Sequence, residues 1–86
     1  MVMENAVTLF YPDGMTGIMN IKLNLKQMQE LVGGYITTAP CNVEDHVLIV
    51  NEEGLLHNLP VNPAASDVAG MPIVGVAIMI HKDDFE

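Results

Sequence analysis

From Ala6 to Tyr11 the side chains divide by period two, with Val7, Leu9 and Tyr11 on one face and Ala6, Thr8 and Phe10 on the other. Such alternation predicts a strand lying on a core. Pro12-Asp13-Gly14 breaks it with turn chemistry: proline presets φ, aspartate bonds nearby backbone, and glycine accepts a positive φ. Met15–Leu23 then reads as the returning arm of a hairpin, with Met19, Ile21 and Leu23 on one face and Ile18 on the other. After it the period lengthens. Leu25, Met28, Leu31 and Val32 recur at helical spacing, and Gly33-Gly34 supplies the stop. Asn24 stands where an N-cap belongs, with Gln27 three residues on to complete a capping box.

Tyr35–Ala39 predicts a third strand, closed by Pro40, and Cys41–Asp45 an acidic connection. His46–Asn51 predicts a fourth strand. Its run Val47-Leu48-Ile49-Val50 does not alternate, which places it centrally, buried on both faces. Glu52-Glu53-Gly54 turns the chain, and Leu55-Leu56-His57 is too short to define an element. Asn62 caps a second helix with Pro63 at N1, where a missing N–H costs nothing. Ala64, Ala65 and Val68 form its inner face, and Gly70 ends it. Met71–Ile80 predicts the last strand, apolar on both faces, with Gly75 marking a bulge or a tight crossing. Residues 81–86 read as a frayed acidic tail. The expected fold is α+β: a single domain over residues 1–80, with a mainly antiparallel sheet of about five strands and two short helices in a two-layer packing.

Composition adjusts this picture at two points. Half the residues are apolar and seven are methionine, while a chain this short buries only roughly 60–65% of its unfolded surface. Surplus apolar surface hidden against a second copy is therefore expected, making the protein a homo-oligomer. The net charge is −8 and unevenly spread. Residues 1–43 set Glu4, Asp13 and Glu30 against Lys22 and Lys26, whereas residues 44–86 set eight acids against Lys82 alone. With no arginine and no basic cluster, nucleic acid and anionic membrane are excluded as expected partners. An acidic surface of this kind serves solubility first and a basic protein partner second.

A single cysteine, Cys41, has no internal disulfide partner and fits a reducing cytoplasm. The start MVMENAVTLF lacks the basic and apolar regions of a signal peptide, and Met71–Ile80 is about half the length needed to span a bilayer.

Candidate chemistry is sparse. Glu52 and Glu53 are adjacent, so in extended chain they point apart and make a poor acid–base pair. Cys41, Asp45, His46 and His57 match no zinc spacing, and neither metal nor cofactor is expected. Ser66 has Asp67 beside it but no histidine at a useful spacing for nucleophilic catalysis. The chain reads as a non-enzyme. What remains is the helix start at Asn62-Pro63, with free amides, the Asn62 side chain and Asn51 nearby, as a candidate polar contact site. Its plainer role is an N-cap.

The blocks LKQMQELVGGYI (Leu25–Ile36), VNEEGLLHNLPVN (Val50–Asn62), PAA (Pro63–Ala65) and PIVGVAIMI (Pro72–Ile80) resemble a small family of unknown function from phages, plasmids and their bacterial hosts. Members often carry an arginine after the last asparagine of the second block, where this chain has Pro63. The resemblance implies a short accessory protein of a mobile element, acting in the cytoplasm of a bacterial host. Two functions suit that setting. The first is counter-defence by sequestering a nucleotide-derived immune signal between subunits, with Asn51 and Asn62 binding and Tyr35 or Tyr11 stacking on a base. The alternative is an acidic module that engages or inhibits a host protein.

Overall fold

The computed structural model describes residues 6–85. Five strands form one sheet: β1 (Ala6–Phe10), β2 (Thr16–Asn20), β3 (Ile36–Ala39), β4 (His46–Asn51) and β5 (Ala77–His81). Their spatial order is β2-β1-β5-β4-β3, and every neighbouring pair is antiparallel. Two helices complete the fold, α1 (Leu25–Val32) and α2 (Pro63–Ala69). The α+β architecture expected from the pattern is the one observed.

The helices lie on opposite faces of the sheet, so the packing has three layers where two were expected. Beneath α1, Met28 and Val32 pack with Val7, Leu9, Ile49, Ile78 and Ile80. Beneath α2, Ala65 packs with Leu48, Val50, Ala77 and Ile73. Consecutive residues of β4 and β5 therefore serve different cores, which is why neither strand alternates in sequence. The central placement of both follows from that double burial.

Local chemistry sets the element ends. The β1–β2 turn closes through Tyr11 N–H to the Met15 carbonyl (2.9 Å) and Met15 N–H to Asp13 Oδ1 (2.9 Å). At α1 both capping-box bonds form, Gln27 N–H to Asn24 Oδ1 (2.8 Å) and Asn24 N–H to Gln27 Oε1 (2.9 Å). Gly33 ends the helix at φ 84°.

Three boundaries differ from expectation. β2 stops at Asn20, the partner of Ala6, so Leu23 reaches the α1 core from beyond the strand. β5 begins at Ala77 rather than Met71. Pro72 has no N–H to give a ladder, and Gly75 at φ 76° turns the chain out of extension. Residues 73–75 instead pair with 60–62, through the Val61–Val74 bridge, Asn62 N–H to Ile73 O and Gly75 N–H to Pro60 O. Residues 81–85 also have defined structure beyond Ile80. His81 continues β5, Lys82–Asp84 form a 3-10 turn, and Phe85 packs on the α1 core. Lys82 holds Asp45 through a 3.2 Å ion pair and a bond from its own N–H to the Asp45 carbonyl. Burial of the Phe85 ring is the contribution a charge count overlooks.

Candidate functional site

The two asparagines serve the fold. Asn62 is fully buried and uses its whole amide: Nδ2 donates to Phe10 O and Gly75 O, both at 2.8 Å, and Oδ1 accepts from Ala65 N–H at 3.1 Å. It ties α2, the end of β1 and the Gly75 bend together. Asn51 is also buried, donating to Val32 O (3.1 Å) at the end of α1 and accepting from Glu53 N–H (2.7 Å). Neither side chain retains a donor or acceptor atom that is not already bonded within the protein. Asn51→Ala leaves Val32 O and Glu53 N–H without these partners, at a cost of about 2 kcal/mol. A lowered urea midpoint with an unchanged slope is the expected readout.

The tyrosines stand apart. Tyr11 is half-buried against the α1 core at the end of β1, while Tyr35 is exposed just before β3. Two strands, β5 and β4, intervene between β1 and β3. Three strand spacings amount to about 14 Å, so a base could stack on one ring or the other but not on both. Ser66 is committed as well, its hydroxyl donating to Asn62 O (2.7 Å) and accepting from Ile73 N–H (2.8 Å).

His46 and His81 are cross-strand partners whose rings meet edge to face at 5.4 Å. His46 Nδ1 lies 2.7 Å from Glu44 O, and His81 Nδ1 accepts from Asp83 N–H at 3.1 Å. Among the described residues no group of three or more His, Cys, Asp or Glu is placed to hold a metal ion. No helix of the described residues is long and apolar enough to cross a membrane.

A groove opens beside the Leu55-Leu56 pair. After β4, residues 52–58 form a compact turn held by His57 N–H to Glu53 O (3.1 Å), Asn58 N–H to Leu55 O (3.2 Å) and Leu59 N–H to Gly54 O (3.1 Å). Gly54 lets this turn settle on the 71–76 segment, since a Cβ there would stand 2.8 Å from Val74 Cγ2. Between the turn, that segment and β3 opens a cavity of about 500 Å³. Thr37, Ala39 and Val50 line it, with Leu55, Leu56 and Met71 at its margin. Those three margin residues are 81%, 77% and 46% exposed, and together they concentrate costly apolar surface around one opening. Glu52 and Glu53 supply its charge, and no lysine belongs to its lining.

A second cavity of similar size lies beside the start of α1, with Lys22, Leu23 and Phe85 in its wall. Asn24, its neutral polar side chain, is already engaged in the capping box, and Asp84 offsets the Lys22 charge. The first groove has the stronger claim because a sheet edge runs along it. The signal in sequence was Leu55-Leu56, two large apolar residues in a turn where polar ones are usual.

A family model described as a domain of unknown function (DUF3846) matches residues 4–86. No curated protein and no solved structure matches the chain.

Proposed function

Since the chain belongs to the DUF3846 family of unknown function, we propose that it is a non-enzymatic accessory module of a mobile element that binds a host protein in the bacterial cytoplasm. The contact site is the groove bounded by β3, the 52–58 turn and residues 71–74. The exposure of Leu55, Leu56 and Met71 around that one opening carries this reading. Covering the two leucines in a complex is favourable by about 1.5–3 kcal/mol each. The acidic character of the groove selects a partner segment bearing lysine or arginine. Sequestration of a nucleotide signal is the weaker reading here. Its two asparagines are hydrogen-bonded within the fold, and a phosphate would meet Glu52 and Glu53 with no cation among the lining residues.

A thermal-shift comparison tests the reading, because a ligand selective for the folded state raises its melting point. Short lysine-containing apolar peptides are expected to raise Tm, whereas cyclic nucleotides and ADP-ribose derivatives leave it flat. The reverse pattern would sink the proposal. In parallel, the double variant Leu55→Ser/Leu56→Ser is expected to keep wild-type stability to about 0.5 kcal/mol, since both side chains are solvent-exposed. The same variant should lose the peptide-induced shift.

A further inference from the structure

We infer that a basic, extended peptide segment binds this chain by adding a sixth strand to the free edge of β3; this rests on the protein-binding reading above and specifies its mode. The hydrogen-bond phase of β3 identifies the atoms. Tyr35 and Glu52 face each other in the register of β3 and β4, and Glu52 N–H donates to Tyr35 O at 2.8 Å. Hydrogen-bonded and non-hydrogen-bonded pairs alternate along an antiparallel ladder, so Thr37 and Ala39 turn their backbone groups toward β4. Ile36 and Thr38 turn theirs outward. β3 is the last strand of the sheet, and among the described residues no backbone group bonds to the outward side of Ile36 or Thr38.

Edge strands are ordinarily guarded by charge, proline or a bulge. Ile36-Thr37-Thr38-Ala39 has none of these within it, and Pro40 comes only after its last residue. An added strand continues the sheet and turns alternate side chains toward the face where the groove opens, meeting Leu55, Leu56 and Met71. Charge decides the occupant. A second copy would bring another chain of net charge −8 to a groove already carrying Glu52 and Glu53, whereas a basic segment offsets that negative charge.

The probe is an end-capped peptide of alternating valine and lysine, roughly eight residues long to exceed the length of β3, titrated by calorimetry. Two further versions are N-methylated, one at the valine amides and one at the lysine amides. In a paired strand only one of these two sets faces β3. One methylated version should therefore lose at least roughly tenfold in affinity, the weight of a single lost hydrogen bond at the upper end, while the other binds as the parent does. Thr38→Pro removes an outward N–H without touching the β3–β4 ladder, and proline is tolerated on such an edge. It should weaken binding by a similar factor while Thr38→Ala does not. A valine–aspartate peptide should not bind.

Equal effects from both methylated sets, or no effect from either, overturn strand addition. If Leu55→Ser/Leu56→Ser still abolishes binding in that case, the groove survives as a protein site with a different mode. A wild-type chain that binds no valine–lysine peptide overturns both readings. Self-association without peptide that Thr38→Pro abolishes would assign the edge to a second copy and overturn the peptide proposal. Should Thr38→Pro fail to fold, the methylated pair decides alone.

Discussion

Asn62→Ala is expected to destabilise the protein by about 3–5 kcal/mol, the largest effect of any single side chain outside the apolar core. Three costs combine. Loss of the N-cap bond to Ala65 N–H is worth about 1 kcal/mol. The carbonyls of Phe10 and Gly75 each lose a 2.8 Å donor in a site with no solvent exposure, at about 1–3 kcal/mol apiece before relaxation. A domain of this length has a total stability of roughly 4–13 kcal/mol, so the variant stands near the limit of folding. Asn62→Asp separates a clamp from an ordinary cap. Aspartate is among the best N-caps in general. Here its second oxygen would face two carbonyl oxygens where the amide nitrogen donates. Asn62→Asp should therefore be at least as unstable as the alanine variant at neutral pH. A urea series on the three proteins measures it, and an aspartate variant as stable as wild type would show that the two carbonyl bonds contribute little.

Gly75→Ala carries the second large effect, about 2–4 kcal/mol. A left-handed backbone costs an alanine about 1–2 kcal/mol, and Gly75 sits at φ 76°. A Cβ would also stand 2.8 Å from Leu59 Cδ1 and 3.5 Å from Leu59 Cβ. Overpacking of that kind adds about 1–3 kcal/mol. Gly70 is the internal control, at φ 71° with nothing within 4 Å of its Cβ position. Gly70→Ala should show the backbone cost alone. Thermal unfolding of both variants then isolates the packing cost by difference, and Leu59→Ala should recover part of it in Gly75→Ala because the two residues touch. Equal losses at the two glycines would mean that Leu59 moves aside freely.

Local chemistry made much of the fold legible in sequence. The Asn24–Gln27 box, the Pro12-Asp13-Gly14 turn and the Asn62-Pro63 cap each depend on residues within a few positions of one another, and each forms as written. The non-alternating run Val47–Val50 also named its place, because double burial leaves a direct mark on composition. Placing the helices on opposite faces was beyond such reading, since it depends on which face each connection crosses. The start of β5 is not legible in sequence, because apolar residues 71–76 satisfy the strand pattern while Pro72 and the Gly75 bend deny them the ladder. The charged neighbours of Phe85 mask its packing on the α1 core.

The site shows the same division. Asn51 and Asn62 stand out in sequence as a candidate polar contact site, but their partners lie up to 52 positions away in the chain, as with Asn62 and Phe10. Without those partners, a buried clamp and a ligand-binding amide look alike in sequence. Leu55-Leu56 was too short to define an element, and only the approach of residues 71–74 and the β3 edge makes it the margin of a groove.

The most direct test of the groove as a protein-binding site is an NMR titration of the 15N-labelled chain, first with the valine–lysine peptide and then with a panel of cyclic nucleotides. Binding in the groove predicts that the peptide shifts the amides of Thr37, Thr38, Leu55, Leu56 and Met71, leaves those of α1 in place, and that the nucleotides shift none of them. Nucleotide-induced shifts around Tyr35 or Tyr11, with the peptide producing no change along β3 or the 52–58 turn, would contradict it.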